Sequence, residues 1–227
     1  MTTAPRLKLH YHPLSSFCQK VLVALYEQGT PFEPVFVDLG DPAHRAALEK
    51  LWPFVRFPVL EDLDAGRAVP ESSIIIEYLE QRSPGPEPLL PSDPDAALRT
   101  RLQDRFFDIY VHHAMQKITG DRLRPAEARD PFGVEHARGL IRTAYGMIER
   151  DMAAKTWAMG ETFTLADCSA CPALFYADWC IPLEGEWPNT AAYLARLKAR
   201  PSFARVIEEA KPWWKFFPQE EGDVAPV

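Results

Sequence analysis

Pro13-Leu14-Ser15-Ser16-Phe17-Cys18-Gln19-Lys20 stands between two runs of different period. Upstream, Leu7, Leu9 and Tyr11 share one face of a predicted strand. Downstream, Val21, Leu22, Leu25 and Tyr26 recur at helical spacing, and Gly29 suits a left-handed C-terminal cap. Ser15 therefore sits where a helix opens, at the end whose unpaired amides and dipole favour an anion. Its spacing to Cys18 is that of a Cys-x-x-Cys redox pair with the attacking cysteine replaced by serine. Serine forms no mixed disulfide, but its hydroxyl can donate to a thiolate brought by a ligand. In isolation the same residue reads more readily as a plain N-cap.

Outward from this stretch the pattern keeps alternating. Val35, Phe36, Val37 and Leu39 predict a second strand, and Pro42 opens a helix over 44–51. Val59 to Leu63 and Arg67 to Val69 flank Asp64-Ala65-Gly66, a hairpin turn. A helix follows from Ser72 to about 81, with Ile75, Tyr78 and Leu79 along its buried face. This order predicts a small mixed sheet with helices on both faces. Five prolines then fall within 83–94, where missing amide donors stop regular structure. The stretch reads as a semi-rigid linker between domains 1–82 and 95–227.

Beyond it only helical periods occur. Leu98, Leu102, Phe106, Ile109 and His113 trace one face of a long helix, and Phe107, Val111 and Met115 another. A helix apolar on two faces is expected to be buried between neighbours. Leu140, Ala144, Met147 and Ile148 mark a further helix, and two more are expected over 190–199 and 202–210. Thr164-Leu165-Ala166-Asp167 has the form of a capping box with Asp in place of Glu or Gln.

Composition narrows the function. With 25 Lys and Arg against 32 Asp and Glu the net charge is −7, which argues against phosphate-backbone binding and hence nucleic acid. No apolar run approaches the roughly 20 residues that span a bilayer, so no membrane partner is expected. The four cysteines stand in a chain of 227 residues, too large to need disulfide staples, which fits a reducing, cytoplasmic setting. Cys168-x-x-Cys171 is a single pair with no second pair, so core packing is favoured over zinc binding. His112 and His113 point about 100° apart on a helix, which suits packing better than joint ligation.

Two more segments complete the site reading. Arg56-Phe57-Pro58-Val59-Leu60 is a strand-like run headed by proline. Glu71 and Ser72 open the third helix, again an anion-accepting position. With Ser15, these segments and Phe163-Thr164-Leu165-Ala166-Asp167 resemble the glutathione transferase superfamily along the whole chain. Arg200-Pro201-Ser202-Phe203-Ala204-Arg205 is also similar to that family's closing helices.

The resemblance implies an α/β plus all-α fold: an N-terminal thioredoxin-like domain, then a C-terminal α-helical bundle domain. It implies that Ser15, or else the neighbouring Ser16, activates the thiol of glutathione as in the serine-type classes. Glu71 and Ser72 would hold the γ-glutamyl end. Phe57 would pair its backbone with the cysteinyl part, beside a cis Pro58. Arg56 would meet the glycyl carboxylate, and Phe17 would complete the glutathione site. Tyr110, Val111, His113, Met115 and Trp214 would line a pocket for a small apolar electrophile. A homodimer is implied, with glutathione as co-substrate and no metal or tightly bound cofactor. Where the family commonly carries Asn and Gly before the proline, this chain has the bulkier Trp52-Pro53-Phe54-Val55-Arg56-Phe57.

The energetics fit this chemistry. A free thiol near ~8.5 is only a few per cent thiolate at neutral pH. Lowering it by about two units needs about 2.7 kcal/mol. A hydrogen bond to a charged group supplies ~1.5–3 kcal/mol, and a helix N-terminus ~0.3–1 kcal/mol. A zeta-type isomerase, in which glutathione adds to and leaves a cis-alkene, is the alternative enzyme, although Phe17 stands where that class usually has cysteine. A non-catalytic interaction module is the alternative outside enzymes.

Overall fold

The computed structural model describes residues 6–218. The chain forms two compact units that divide between Leu90 and Pro91. The first holds β1 (Leu7–Tyr11), α1 (Ser16–Gln28), β2 (Glu33–Phe36), α2 (Pro42–Leu51), β3 (Val59–Asp62), β4 (Arg67–Pro70) and α3 (Ser72–Arg82). Its sheet has the order β2-β1-β3-β4, with β2 parallel to β1 and the other two pairs antiparallel. This is the mixed sheet that the alternating pattern predicts, and the unit is thioredoxin-like.

Local chemistry fixes the boundaries. Gly29 adopts φ 61°, and its N–H reaches the Leu25 and Tyr26 carbonyls to close α1. Asp41 caps α2 by accepting from Ala43 N–H at 2.7 Å, with Pro42 in the first turn. In the hairpin, Asp62 Oδ1 accepts from Asp64 and Ala65 N–H, while its Oδ2 takes the Tyr78 hydroxyl at 2.7 Å and Arg82 Nε at 3.1 Å. Burial pushes the Asp62 carboxyl up, but these donors outweigh it and hold the group below its ordinary value. Val59 packs with Val37 and Leu48 beside α2. Its neighbour Leu60 faces the other way, paired with Leu9, so both sheet faces are covered. The second strand is shifted from its predicted place: it runs Glu33–Phe36, and Leu39 is exposed in the turn that follows.

Part of the proline-rich stretch packs on the first unit. Gln28 Nε2 donates to Glu80 Oε1 at 2.9 Å and to the Glu87 carbonyl at 2.8 Å. Leu89 is buried and donates its N–H to the same Glu80 oxygen at 3.0 Å. A Cβ built on Gly85 would lie 2.7 Å from the Gln28 Cα. Gly85→Ala is therefore expected to lift this segment away, at a cost of about 1–3 kcal/mol. Limited proteolysis should then cleave within 83–94 several times faster than in the wild type.

The second unit is all-helical among the described residues. Its core is α7 (Leu165–Cys180), buried on nearly every side, with Cys168, Cys171 and Cys180 buried within it and outside any disulfide. Around it lie α4 (Pro94–Phe106), α5 (His113–Arg122), α6 (Pro131–Met152), α8 (Pro188–Ala199) and α9 (Pro201–Ala210). The expected capping box opens α7. Asp167 accepts from Thr164 N–H at 2.9 Å and from the Thr164 hydroxyl at 3.1 Å. It also accepts from Ala158 N–H at 2.8 Å and from the Tyr193 hydroxyl at 2.6 Å.

The long helix departs from expectation. Between α4 and α5 the chain runs as a π-helix, Phe107–His112. Leu98, Leu102 and Ile109, predicted to be buried, are exposed, the first two at 66% and 65%, and His113 is exposed as well. The buried row one step around α4 is polar: Thr100, Asp104, Asp108 and His112. Each of these side chains has at least one internal partner. Thr100 donates to the Ala96 carbonyl, Ser169 to Asp104, and His112 Nδ1 lies 3.3 Å from Asp108 Oδ1. Apolar spacing predicts a face, yet hydrogen bonding to α7 decides which face turns inward.

Candidate functional site

Strand register gathers three segments at one end of the first unit's sheet. His10 in β1 pairs with Val59 in β3, and Val59 pairs with Pro70 in β4. The residues that follow β1, precede β3 and follow β4 therefore leave the sheet at the same end. They are the Ser15 turn, Phe57–Pro58 and Glu71–Ser72.

Ser15 is the N-cap of α1, with extended φ −74° and ψ 117°. Its Oγ accepts Cys18 N–H at 3.3 Å, and its own N–H donates to the His12 carbonyl at 3.0 Å. Gln19 Nε2 ties down the turn through the Pro13 carbonyl at 2.8 Å. Ser15 and Phe17 are half-buried, whereas Ser16 is 3% exposed. Cys18 is fully buried, and burial pushes its thiol up to about 12, so it stays protonated near neutrality.

The Phe57–Pro58 peptide is cis, and Val55 before it has φ 52°. Pro58 is buried, Phe57 half-buried and Arg56 exposed. Trp52, Val55 and Phe57 pack against the Val37, Leu48 and Val59 cluster, which anchors the bulky loop, while Phe54 projects outward at 72% exposure.

Glu71, exposed, precedes α3 with φ 69° and ψ 115°, outside the common regions for a residue bearing Cβ. Ser72 is buried at the first position of the helix. Beneath this end lies Lys20, 0% exposed, whose Nζ donates to Ser73 Oγ at 2.8 Å and links α1 to α3. Sequence reading missed Lys20 because it sits inside an apolar helical run. It also missed His12, which lies within the Ser15 turn. The one available signal was an ionisable residue inside each segment.

The residues expected to line the electrophile pocket lie in the second unit on different faces. Tyr110 and His113 are exposed, while Val111 and Met115 are buried in the helical core. Trp214 is half-buried, its ring 6.3 Å from Phe175 of α7. Phe217 stacks on Trp179 at 4.3 Å, and Arg122 donates to the Pro218 carbonyl, so this aromatic tail packs on the helical unit itself. Among the described residues no group of three or more His, Cys, Asp or Glu could hold a metal ion, and no helix is long and apolar enough to cross a membrane.

Residues 9–87 match the glutathione S-transferase N-terminal domain family and residues 131–196 the C-terminal domain family. A stringent starvation protein A homolog from Coxiella burnetii is 32% identical over 213 residues, covering 90% of this chain and 93% of that protein. A glutathione S-transferase from Methylobacterium radiotolerans, solved in complex with glutathione sulfonate, is 32% identical with a TM-score of 0.77, covering 98% of this chain and 99% of that one. Another from Methylobacillus flagellatus, solved with glutathione bound, is 27% identical with a TM-score of 0.81, covering 88% and 98%. With both domain families matched, and in this order, the chain belongs to the glutathione S-transferase superfamily.

Proposed function

We propose that this protein is a glutathione transferase that ionises the thiol of glutathione for attack on a small apolar electrophile. The observation that carries the reading is the convergence of the Ser15 N-cap, the cis Phe57–Pro58 peptide and the Glu71–Ser72 helix start at one end of the sheet. In this reading Ser15 Oγ accepts Cys18 N–H and directs its own proton to the glutathione sulfur. The exposed main chain at Phe57 pairs with the cysteinyl unit. Ser72 and its amide take the γ-glutamyl carboxylate, Glu71 its ammonium, and Arg56 the glycyl carboxylate. Phe17 borders the site. The second unit supplies the electrophile pocket, with the exposed Tyr110 and His113 and the half-buried Trp214 as candidates. The protein works as a cytoplasmic homodimer, with glutathione as co-substrate and no resident cofactor.

Burial of Ser16 favours Ser15 as the activating group. The test is to titrate glutathione into the purified protein and follow thiolate ultraviolet absorbance against pH. Binding with ionisation well below ~8.5 supports the reading. Absence of binding at millimolar concentration overturns it.

A second reading, a non-catalytic interaction module, draws on the exposed Phe54 in the bulky loop and on the likeness to a stringent starvation protein A homolog. It becomes the better account if glutathione fails to bind while the fold is intact.

Glu71 offers a test with two opposed readouts. Its positive φ stores strain of order 1–3 kcal/mol, which glycine would relieve, less roughly 0.5–1 kcal/mol of backbone entropy. Glu71→Gly is expected to raise Tm by a few degrees, measured by calorimetry. It is also expected to weaken glutathione binding by about tenfold through loss of the carboxylate.

A further inference from the structure

His12 touches two of the three converging segments with one ring. Its Nδ1 accepts Leu14 N–H at 3.2 Å, and its carbonyl accepts Ser15 N–H at 3.0 Å. On the other side the imidazole stacks on Phe57, with centroids 6.1 Å apart and planes 19° apart, and tilts against Phe36 at 5.4 Å. A nitrogen that accepts Leu14 N–H carries no proton, so this arrangement requires the neutral ring with its hydrogen on Nε2. Protonation would turn Nδ1 into a donor facing a donor.

We propose that His12 is a positioning residue: its neutral imidazole holds the Ser15 turn in register with the Phe57–Pro58 loop, and protonation uncouples the two halves of the thiol site. This rests on the glutathione reading for its functional consequence, but the coupling itself is a property of the ligand-free protein.

The surrounding groups set the direction. Burial lowers the His12 pKa from its ordinary 6.5, and the Asp38 carboxylate after β2 partly raises it again. On α2, His44 meets Phe36 edge-on at 6.2 Å, and its Nδ1 accepts Asp38 N–H at 3.2 Å. Cys18 on α1 is held as a neutral thiol. Arg56, beside Phe57 in the chain, is exposed. The folded state thus favours neutral His12. Coupling is complete above 6.5 and is lost as pH falls through the lower folded value.

The experiment follows the backbone amide signals of Leu14, Ser15 and Phe57 in the full chain by NMR, without ligand, between about pH 5 and 8. It compares wild type, His12→Asn and His12→Phe. In the wild type all three amides should move with one shared midpoint below 6.5. His12→Asn keeps an acceptor for Leu14 N–H but neither titrates nor stacks, so the shared transition should vanish. His12→Phe keeps the ring and removes the acceptor, so the Leu14 signal should be displaced even at the alkaline end. Different midpoints for Leu14 and Phe57, or a transition that survives in His12→Asn, would overturn the proposal.

Glutathione is then added across the same range. Relative to His12→Asn, wild-type affinity should fall by about tenfold per pH unit below the shared midpoint, as linkage to one proton requires. A pH profile identical in the two proteins would refute the positioning role. A shared amide transition with no glutathione binding at any pH would instead sink the proposed function and leave the coupling standing.

Discussion

Ser15→Ala is expected to abolish the acid shift of the bound glutathione thiol and to lower kcat/KM for an aromatic electrophile by about 10- to 100-fold at neutral pH, the worth of one hydrogen bond to a charged sulfur. The loss should appear in ionisation rather than in binding, because the Phe57 main chain and the Glu71–Ser72 helix start lie outside the substitution. The hydroxyl also caps α1 through Cys18 N–H at 3.3 Å, so the variant should lose about 1 kcal/mol of stability. That corresponds to roughly 2–4 °C in a chain of this size. Ser15→Thr keeps both the cap and the donor and should restore most of the shift. Activity measured with the aromatic electrophile, thiolate absorbance and calorimetry on the three proteins separate the two contributions. If Ser15→Ala keeps the wild-type thiol shift, activation passes to Ser16 or to the helix N-terminus.

The largest stability effect is expected at Asp167, far from the thiol turn in sequence. Its carboxylate is 0% exposed and gathers Ala158 N–H, Thr164 N–H, the Thr164 hydroxyl and the Tyr193 hydroxyl, the last at 2.6 Å. Burial pushes this carboxyl above its ordinary value, against the pull of those four donors. Asp167→Ala would strand the donors in a site closed to water. Breaking a buried polar network of this kind costs about 3–5 kcal/mol. The helical unit should unfold roughly 10 °C earlier in a calorimetric scan. Thr164→Ala removes one donor of the four and should cost about a quarter to a third as much. Equal melting of Asp167→Ala and wild type would refute the assignment of this box as the pin that starts α7.

What could be read in the residues, and what could not, follows from the range of the forces involved. Gly29, the Asp64-Ala65-Gly66 hairpin and the Thr164–Asp167 box act over a few residues, so their chemistry is written locally and the structure matches it. The helices predicted over 190–199 and 202–210 appear as α8 and α9, each opening a little earlier on a proline. The orientation of α4 is a different matter. Leu98 and Leu102 mark an apolar stripe, but Thr100 and Asp104 turn inward because α7 offers Ser169 as a partner, and no window of sequence contains both helices. The site was legible as three motifs, while their meeting at one sheet end depends on the register of β1, β3 and β4. His12 escaped notice because its importance lies in Phe57, forty-five positions away, at 6.1 Å.

The π-helical segment Phe107–His112 bears on how this chain tolerates changes of length. A π turn holds about one residue more than an α turn. Removing a residue inside an α-helix normally rotates everything beyond it by about 100° and exchanges core for surface. Here the surplus turn is a reservoir. A single-residue deletion within 107–112 could be absorbed by tightening to α geometry, leaving α4 and α5 in phase with the faces they already present. Among the helices described in this fold, this is the place where lineages could gain or lose a residue without rebuilding the core on either side.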